Sequence, residues 1–333
     1  ARAGHLRRRV RPAGARAATL VVDVERRTQK RLRLGLRYSS AYKASILLNA
    51  SFRDQLGIGA TSEIELRLGE VLRAGLRYTV PLSFQPRLGV TLEAKAERLP
   101  IDLFSNSRRT SSVEANVLAG GLQFGGTFLG DFAAAVGVAG EGFSVEENVG
   151  NGNRFRDEEG FLLGEALLYA DTFNRASFAT SGAQLRLRSS VTNEAVLSSR
   201  TFSQHLIEGE GRVPLTKRLT GIGAIMMGRS LGDSLPLYRR YYLGGAVSSR
   251  VFSEHQFSHL GYAVQELSGR HVQAFGLGVQ MALPEGLFLS ARWNTARVAE
   301  KWEWAPSAGG FDSGFGVILG VNTLLGPVEL TLM

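Results

Sequence analysis

Five histidines and no cysteines set the limits of metal chemistry in this chain of 333 residues. Without Cys, neither a thiolate metal site nor a disulfide can form. His255 and His259 stand four residues apart, as two ligands on a helix would. The residues around them follow no helical pattern, so we interpret them as ordinary loop histidines. No G-x-S-x-G sequence occurs. The sequence therefore predicts no catalytic residue, no metal site and no cofactor.

Positive charge is concentrated at the start of the chain. Residues 1 to 31 carry ten Lys or Arg and two Asp or Glu, a balance of +8 out of a net charge of +9 for the whole chain. A basic segment beside a membrane domain can bind anionic lipid, but an unstructured linker is the interpretation that we favour. No aromatic residues interleave with these arginines, so nucleic acid is not expected as a partner.

One long stretch, Arg239 to Gly269, follows neither a strand nor a helix pattern. Its sequence is RRYYLGGAVSSRVFSEHQFSHLGYAVQELSG. Ordered segments of this length without regular structure are usually functional loops. The loop is flanked on both sides by long runs of alternating polar and apolar residues, which predict half-buried β-strands.

About fifteen such runs follow one another from residue 31 to the end of the chain. In the first of them, Leu32, Leu34 and Leu36 alternate with Arg33 and Arg37. The runs cover residues 31–38, 46–52, 63–68, 72–80, 88–97, 112–127, 131–146, 159–171, 182–193, 203–214, 217–229, 271–284, 286–297, 311–323 and 326–333. Many approach about ten residues, the length of a tilted transmembrane strand. No apolar segment is long enough for a spanning helix.

The polar face of these runs carries charges of both signs. Its candidate members are Arg33, Arg37, Glu63, Glu65, Arg67, Glu93, Lys95, Arg186, Arg188, Glu208, Glu210, Arg212 and Arg292. A soluble β-sandwich, the alternative, would turn its apolar face inward. Charged residues on the other face favour a wet lumen inside a closed antiparallel barrel, with the apolar face toward lipid. Paired wall residues are the simplest role for these charges, and a polar pathway is the alternative.

The connections between the runs alternate in length. Short turns occur at 214–217 and 283–286, and longer loops are expected around 98–111, 147–158 and 298–310. Short periplasmic turns and longer external loops are typical of outer-membrane barrels.

Several local sequences, in this order, resemble the outer-membrane protein 85 superfamily, which includes bacterial surface antigen D15. They are TLVVDVER (19–26) before RLRLGLRY, FRDQLGIGA (52–60), DTFNRASFATSG (171–182), YYLGG (241–245) and LLGPVELTL (324–332). The resemblance covers residues 19 to 333. It implies a sixteen-stranded antiparallel β-barrel in the outer membrane of a Gram-negative bacterium, of which about fifteen strands are present here. It also implies that the loop after the eleventh strand, the sixth external loop, folds into the lumen.

The sixth loop departs from the family pattern. Translocating members carry a Val-Arg-Gly-Tyr/Phe motif whose Arg docks on the inner wall, whereas this chain has His259-Leu260-Gly261-Tyr262, with Leu260 in place of the Arg. We expect Arg239 or Arg240 to replace it. The residues expected to shape the plug are Arg239, Arg240, Tyr242, Gly244, Gly245, Leu260, Gly261 and Tyr262. The loop pattern is most similar to barrels fused behind patatin-like phospholipase domains.

The resemblance divides the chain into a basic linker with the end of a POTRA-like segment (1–30) and a barrel (31–333) expected to be truncated at its C-terminus. It implies protein translocation or insertion, or anchoring of a fused N-terminal domain. The alternatives are a phospholipase whose catalytic domain lies upstream and a passive channel. Expected partners are outer-membrane lipid including lipopolysaccharide, a protein client or fused domain, and a second copy in a homodimer.

Overall fold

The computed structural model is almost entirely β-structure. It describes residues 6–12, 18–24, 30–39, 43–53, 59–83, 87–149, 156–232, 235–246, 255–303, 310–323 and 326–333. Part of FRDQLGIGA, the first two residues of LLGPVELTL, residues 247–254 of the sixth loop and several of the N-terminal arginines lie outside these ranges. None of the helices within them is long and apolar enough to cross a membrane.

Twenty strands are found in the described ranges. They are β1 (Leu6–Pro12), β2 (Ala18–Val24), β3 (Lys30–Ser39), β4 (Lys43–Arg53), β5 (Thr61–Leu68), β6 (Leu72–Pro81), β7 (Arg87–Ser105), β8 (Arg108–Phe128), β9 (Phe132–Val149), β10 (Arg156–Asp171), β11 (Gly182–Thr192), β12 (Phe202–Pro214), β13 (Leu219–Leu231), β14 (Tyr241–Leu243), β15 (Gln256–Phe257), β16 (Leu267–Gly269), β17 (His271–Ala282), β18 (Leu287–Ala299), β19 (Asp312–Thr323) and β20 (Gly326–Leu332). Short 3-10 turns cover Leu237–Arg239 and Pro284–Gly286.

Fifteen of these strands form one antiparallel sheet in which each strand pairs with the next along the chain. The order runs from β3 to β13 and then from β17 to β20, so β13 pairs with β17 and the sixth loop lies between them. Each of the fifteen predicted runs corresponds to one of these strands. The prediction of a fifteen-stranded antiparallel sheet is therefore confirmed. Across the described residues, no pairing joins β3 to β20.

The N-terminal residues form a separate hairpin. Within the described residues, β1 and β2 pair with each other and with no strand of the large sheet. The predicted strand over 19–26 is observed as β2, but β1 falls in the segment for which a linker was expected, and it is not among the predicted strands. The assignment of residues 1–30 to a POTRA-like segment stays a prediction.

The sheet curls around a lumen. Asn49 of β4, Glu93 of β7 and Arg188 of β11 border one cavity although their strands are far apart in the sheet order. The sixth loop crosses this lumen, because Gln265 contacts Asp102 of β7 while Leu260 contacts Asn294 of β18. Strands on opposite sides of the sheet thus meet the same loop, which is the geometry of a barrel wall around a plug.

The outward face of the sheet is apolar and exposed. It includes Leu36, Leu122, Val136, Leu277 and Phe315. Exposed side chains of this kind are stable in lipid and not in water, so the alternation places lipid on the outside of the barrel.

Strands β7 to β10 are longer than a membrane requires. β7 has 19 residues and β8 has 21, whereas about ten residues span the bilayer. The longer loop predicted at 98–111 is therefore wrong: both strands continue through it, and only Asn106 and Ser107 form the turn, with φ of 50° and 58°. The loop expected at 147–158 is likewise shorter, since β9 extends to Val149 and β10 begins at Arg156. We call the projecting ends of β7 to β10 the wing.

The inward face changes chemistry where the wing begins. On β7, the inward residues Glu93 and Lys95 border the lumen cavity. Nearer the external end of the same face, Leu99 and Ile101 are buried in a hydrophobic core. The outward face of β7 changes in the opposite sense: it is apolar at the exposed Leu92 and charged at Arg98, nearer the external end. Above the membrane the apolar side of the strand must turn away from water, so the pattern inverts.

Candidate functional site

The sixth loop carries the largest set of buried functional groups in the described part of the chain. It enters through the 3-10 turn at Leu237–Arg239 and continues into β14, which pairs in parallel with β15 and antiparallel with β16. This small sheet pairs backbone groups of Tyr241–Leu243, Gln256–Phe257 and Leu267–Gly269 inside the lumen, where unpaired amide groups are costly. These three strands therefore hold the side chains of their own residues against the wall.

Arg239 is the buried centre of the loop's contact with the wall. Its Nε and Nη2 atoms both donate to Oε1 of Glu141 on β9, at 2.9 and 2.7 Å. The hydroxyl of Tyr238 donates to the same carboxylate. Gln204 of β12 donates to the carbonyl of Arg239 at 2.8 Å, and the guanidinium lies over the ring of Phe202. Side-chain exposure is only 6% for Arg239 and 5% for Glu141. We call Tyr238, Arg239 and Glu141 the loop dock.

Electrostatics keep the dock charged. Burial by itself lowers the pKa of the Arg239 guanidinium, but the Glu141 carboxylate outweighs it, so the net shift is upward. Burial raises the pKa of the Tyr238 hydroxyl, so it stays protonated and donates to Glu141. Removing one partner of such a buried pair costs about 3–5 kcal/mol, because the other charge is left uncompensated.

An apolar core surrounds the dock on the external side. Tyr238 and Tyr242 of the loop pack with inward residues of β7 to β10 and β12: Leu99, Ile101, Val113, Ala115, Val117, Phe143, Val145, Phe161, Leu163 and Phe202, with Val71 beside them. The ring of Tyr238 lies 4.8 Å from that of Phe143. The wing and the loop thus fill the external half of the lumen as the interior of a soluble protein is filled.

A second apolar cluster holds the loop against the other wall. Tyr241 and Leu243 of β14 and Phe257 of β15 pack with Leu206, Met226, Val272 and Ala296 of the barrel strands. Gly228 is required here, because a Cβ at that position would lie 2.6 Å from the ring of Tyr241. The loop is therefore fixed to the wall on two sides.

The loop also closes the free edge of the wing. Above Arg98, the edge of β7 has no pairing with β6, because β6 starts at Leu72, the partner of Arg98. The buried side chain of Gln265 accepts from the amide of Asp102 at 2.7 Å and donates to the carbonyl of Pro100 at 3.1 Å. One amide side chain thereby pairs two of the backbone groups on the edge that β6 leaves open.

The tip of the loop contacts the strands near the other edge of the sheet. His259 and the backbone of Leu260 contact Asn294 of β18, and the hydroxyl of Tyr262 donates to Asp312 at 3.1 Å. Burial lowers the pKa of His259, against an opposing effect of Asp312. Leu260, which stands where the family has its docking Arg, is buried, and a Cβ at Gly314 of β19 would lie 1.7 Å from its carbonyl oxygen.

The remaining predicted plug residues shape the backbone or face the rim. Gly244, Gly245 and Gly261 have φ of 138°, 75° and 88°, values that side chains other than Gly rarely adopt. Arg240 turns away from Arg239 and pairs with Glu300. Of the two arginines considered as substitutes for the docking Arg, Arg239 is thus the one that contacts the wall deep in the lumen. The functional role of each stays a prediction.

Several residues predicted for the lumen wall form ion pairs, either across neighbouring strands or between residues two apart on one strand. Arg77 lies between Glu93 at 2.6 Å and Glu63 at 3.6 Å, Arg67 pairs with Glu65, Arg186 lies 3.9 Å from Glu208 and Arg212 lies 2.7 Å from Glu210. Lys95 and Arg188 border the same cavity as the dock. Arg292 borders a second cavity beneath the loop tip. Arg33 and Arg37 lie on the edge strand β3.

A second connection folds into the lumen from the opposite rim. The loop between β10 and β11 places Phe178 in a stack with Phe288 of β18, with ring centroids 4.5 Å apart. Nη1 of Arg212 donates to the carbonyl of Ala179 at 2.9 Å. A Cβ at Gly320 of β19 would lie 2.2 Å from the ring of Phe178. This short loop narrows the periplasmic mouth, while the sixth loop fills the external half.

Sequence reasoning missed Tyr238, Glu141 and Gln265. Glu141 lies 98 residues from Arg239 in the chain, in a Gly-rich run where the alternation is weak. The sequence does carry one signal for Glu141. It is a single charge on a strand face of apolar and small residues, with Ala139 and Phe143 on either side of it on the inward face.

Comparison with known proteins agrees with this architecture. The model of the OMP85 superfamily matches residues 18–333. Among solved structures, BamA from Haemophilus ducreyi lacking POTRA domains 1–3 is similar, with a TM-score of 0.77 and 13% identity over 98% of this chain and 71% of that one. CdiB from Escherichia coli has a TM-score of 0.59 and 12% identity, over 100% of this chain.

CdiB from Acinetobacter baumannii has a TM-score of 0.57 and 10% identity, over 99% of this chain. The chain spans 62% and 64% of the lengths of the Acinetobacter and Escherichia CdiB chains, less than two thirds of each. At these identities the structural matches support the fold alone. No curated protein matches by sequence.

Proposed function

This chain belongs to the OMP85 superfamily, and from that premise we propose that it forms the barrel of a protein that inserts or translocates polypeptide at the outer membrane. The family places the barrel in the outer membrane of Gram-negative bacteria. Its members BamA and CdiB are transporters and not enzymes. In this proposal the chain moves polypeptide, and the sixth loop is a plug that is displaced during transport.

The observation that carries the proposal is the loop dock together with the apolar core around it. A passive diffusion channel needs a continuous wet path through the lumen. Here Tyr238, Tyr242 and Phe143 occupy the external half of that path. Transport through this barrel therefore requires the loop to move, which separates the buried Arg239–Glu141 ion pair and the two apolar clusters that hold the loop to the wall.

The first test is conductance of the purified full chain in planar bilayers. We expect the native protein to give small or erratic events. Arg239→Met removes the buried charge while keeping much of the side-chain volume, so we expect it to raise the frequency of large openings. Arg77→Met, at a half-exposed ion pair of the lumen wall, is the matched control and should leave the record unchanged. Large, steady conductance of the native protein would favour the passive channel instead.

The second test asks whether polypeptide passes through. A photo-crosslinking residue at Gln123, which borders the lumen cavity, is compared with one at Phe124, which is exposed on the outward face. In cells, pulse-labelled polypeptide should crosslink at position 123 and disappear during the chase, with no such adduct at 124. No transient adduct, in a barrel that is also closed in bilayers, would favour an anchor for a fused domain, including a patatin-like phospholipase.

A further inference from the structure

A cluster of basic and aromatic side chains lies on the outside of the barrel at the external rim. On β13, β17 and β18 the outward face carries the exposed apolar residues Ile225, Leu277 and Trp293, and Leu231 at the external end of β13 is also exposed. Arg229 lies on the same outward face of β13, nearer its external end than Ile225. Its register partner on β17 is His271. These residues lie on the same rim as the sixth loop. They therefore stand at the level where hydrocarbon gives way to lipid head groups on the external side.

The connection after β18 folds over this part of the outer wall. Gln273 donates to the carbonyl of Glu303 at 2.8 Å, and Arg297 donates to the Glu303 carboxylate at 2.7 Å. These two contacts fix the preceding residue, Trp302, whose ring lies 5.8 Å from the ring of His271. The arrangement is a built pocket wall, because side chains from two strands hold one short segment in place.

Arg229 lies against that wall. Its guanidinium carbon is 5.7 Å from the centre of the Trp302 ring, and the side chain is exposed. Among the residues that the structure describes, it has no acidic partner, since Glu303 pairs with Arg297 and Glu300 with Arg240. An Arg stacked on an indole keeps its N–H groups in a fixed plane with their edge available to a bidentate acceptor. Arg270 and Lys301 adjoin His271 and Trp302 in sequence and add to the positive charge.

We propose that Arg229, held on Trp302, binds a phosphate group of lipopolysaccharide in the outer leaflet. A lipid phosphate at the membrane boundary carries a negative charge and paired oxygen atoms. It can therefore act as the acidic partner that Arg229 does not have among the described residues. The position on the external rim selects the glycolipid of the outer leaflet over the phospholipid of the inner leaflet. The site lies outside the lumen, so it does not depend on the proposed transport of polypeptide.

The test measures binding of deep-rough lipopolysaccharide to the purified full chain in detergent by native mass spectrometry. Loss of one charge-assisted contact predicts that Arg229→Gln weakens binding by about tenfold. Trp302→Leu keeps the charge but removes the stacking surface, and should weaken binding less. Arg98→Gln is the matched control, since Arg98 also faces outward near the external side but pairs with Glu114; it should bind as the native protein does. Heat-modifiable migration establishes that each variant is folded.

Two further ligands separate the lipid sources. With dephosphorylated lipopolysaccharide, the native protein and Arg229→Gln should bind equally weakly, and with phosphatidylglycerol the difference between them should be smaller than with lipopolysaccharide. The proposal is overturned if Arg229→Gln binds phosphorylated lipopolysaccharide as tightly as the native protein, or if Arg98→Gln loses as much. An equal loss with phosphatidylglycerol would overturn the assignment to lipopolysaccharide.

Discussion

The external and periplasmic halves of the lumen are lined by the same face of one sheet but are built on opposite chemistry. In the external half, inward residues such as Ile101 and Phe143 are buried against the sixth loop. In the other half, inward residues such as Glu63 and Arg77 pair across strands and stay 40% and 54% exposed. What differs is the neighbour: a packed loop on one side and an open cavity on the other. The same sheet face therefore serves as a protein interior above and a polar channel wall below.

The two halves also contain chemically similar ion pairs with different expected strengths. Glu141 and Arg239 are almost fully buried, whereas Glu63 and Arg77 are about half exposed. The Coulomb attraction between exposed charges is screened and offset by lost side-chain entropy, but a buried charge without its partner has no water to compensate it. Replacing one carboxylate in each half, Glu141 and Glu63, measures this difference in ion-pair strength directly.

The largest effect is expected from Glu141→Gln. It leaves Arg239 buried with a neutral partner, so we expect a loss of about 3–5 kcal/mol in the stability of the docked loop. The readout is protease cleavage of the sixth loop in the folded barrel. Glu63→Gln should change stability by about 0–1 kcal/mol. Equal sensitivity of the two variants would mean that burial does not distinguish the two halves.

The next effect concerns the apolar core. Ile101→Ala opens a cavity at a residue with no exposed surface, and we expect a cost of about 2–5 kcal/mol. Its control lies on the same face of the same strand: Glu93→Ala removes a partly exposed ion pair and should cost about 1 kcal/mol or less. Denaturant unfolding in detergent measures both. If Glu93→Ala proves the more damaging change, the core of the wing is not what stabilises the external half.

A smaller and more local effect is expected at the loop tip. Ala at Gly314 would place a Cβ 1.7 Å from the carbonyl oxygen of Leu260, so the tip must shift, at a cost of about 1–3 kcal/mol. Gly142→Ala is the control, because no atom lies within 4 Å of a Cβ there. Hydrogen exchange should increase over residues 259–262 in the first variant only. Unchanged exchange in Gly314→Ala would show that the tip does not rest on β19.

The smallest effect is expected at the end of the wing. Asn106 and Ser107 both have positive φ, the conformation of a type I′ hairpin turn, in which Gly is preferred at the second position. Ser107→Gly relieves roughly 1–2 kcal/mol of strain but adds roughly 0.5–1 kcal/mol of chain entropy, a net gain of about 0.5 kcal/mol. Exchange of the hairpin amides should slow slightly. Ser105→Gly, at the end of β7, should give no gain, and a gain there would argue against this turn type.

The sequence predicted the barrel strands well and the wing poorly, for one physical reason. Alternation with the apolar side outward is a local signal, and all fifteen strands carry it over at least part of their length. Where β7 passes Glu97, the apolar positions shift to the other face, so the alternation breaks, and the sequence pattern predicts a loop over 98–111 where the structure has two strands. An inversion of the pattern without a turn residue is the sign of a strand that leaves the membrane and continues in water.

The sequence by itself determined the type of barrel wall. Its period-two alternation with charges on one face determined the number of strands and the position of the long loop between β13 and β17. These follow from interactions within each strand and with solvent or lipid. Only the tertiary structure decided which arginine docks, because Arg239 and Arg240 are equivalent locally and Glu141 lies seven strands into the barrel. Closure of the sheet brings β9 to the loop, so the buried partner is set by pairing between distant strands, and no local pattern in the sequence encodes it.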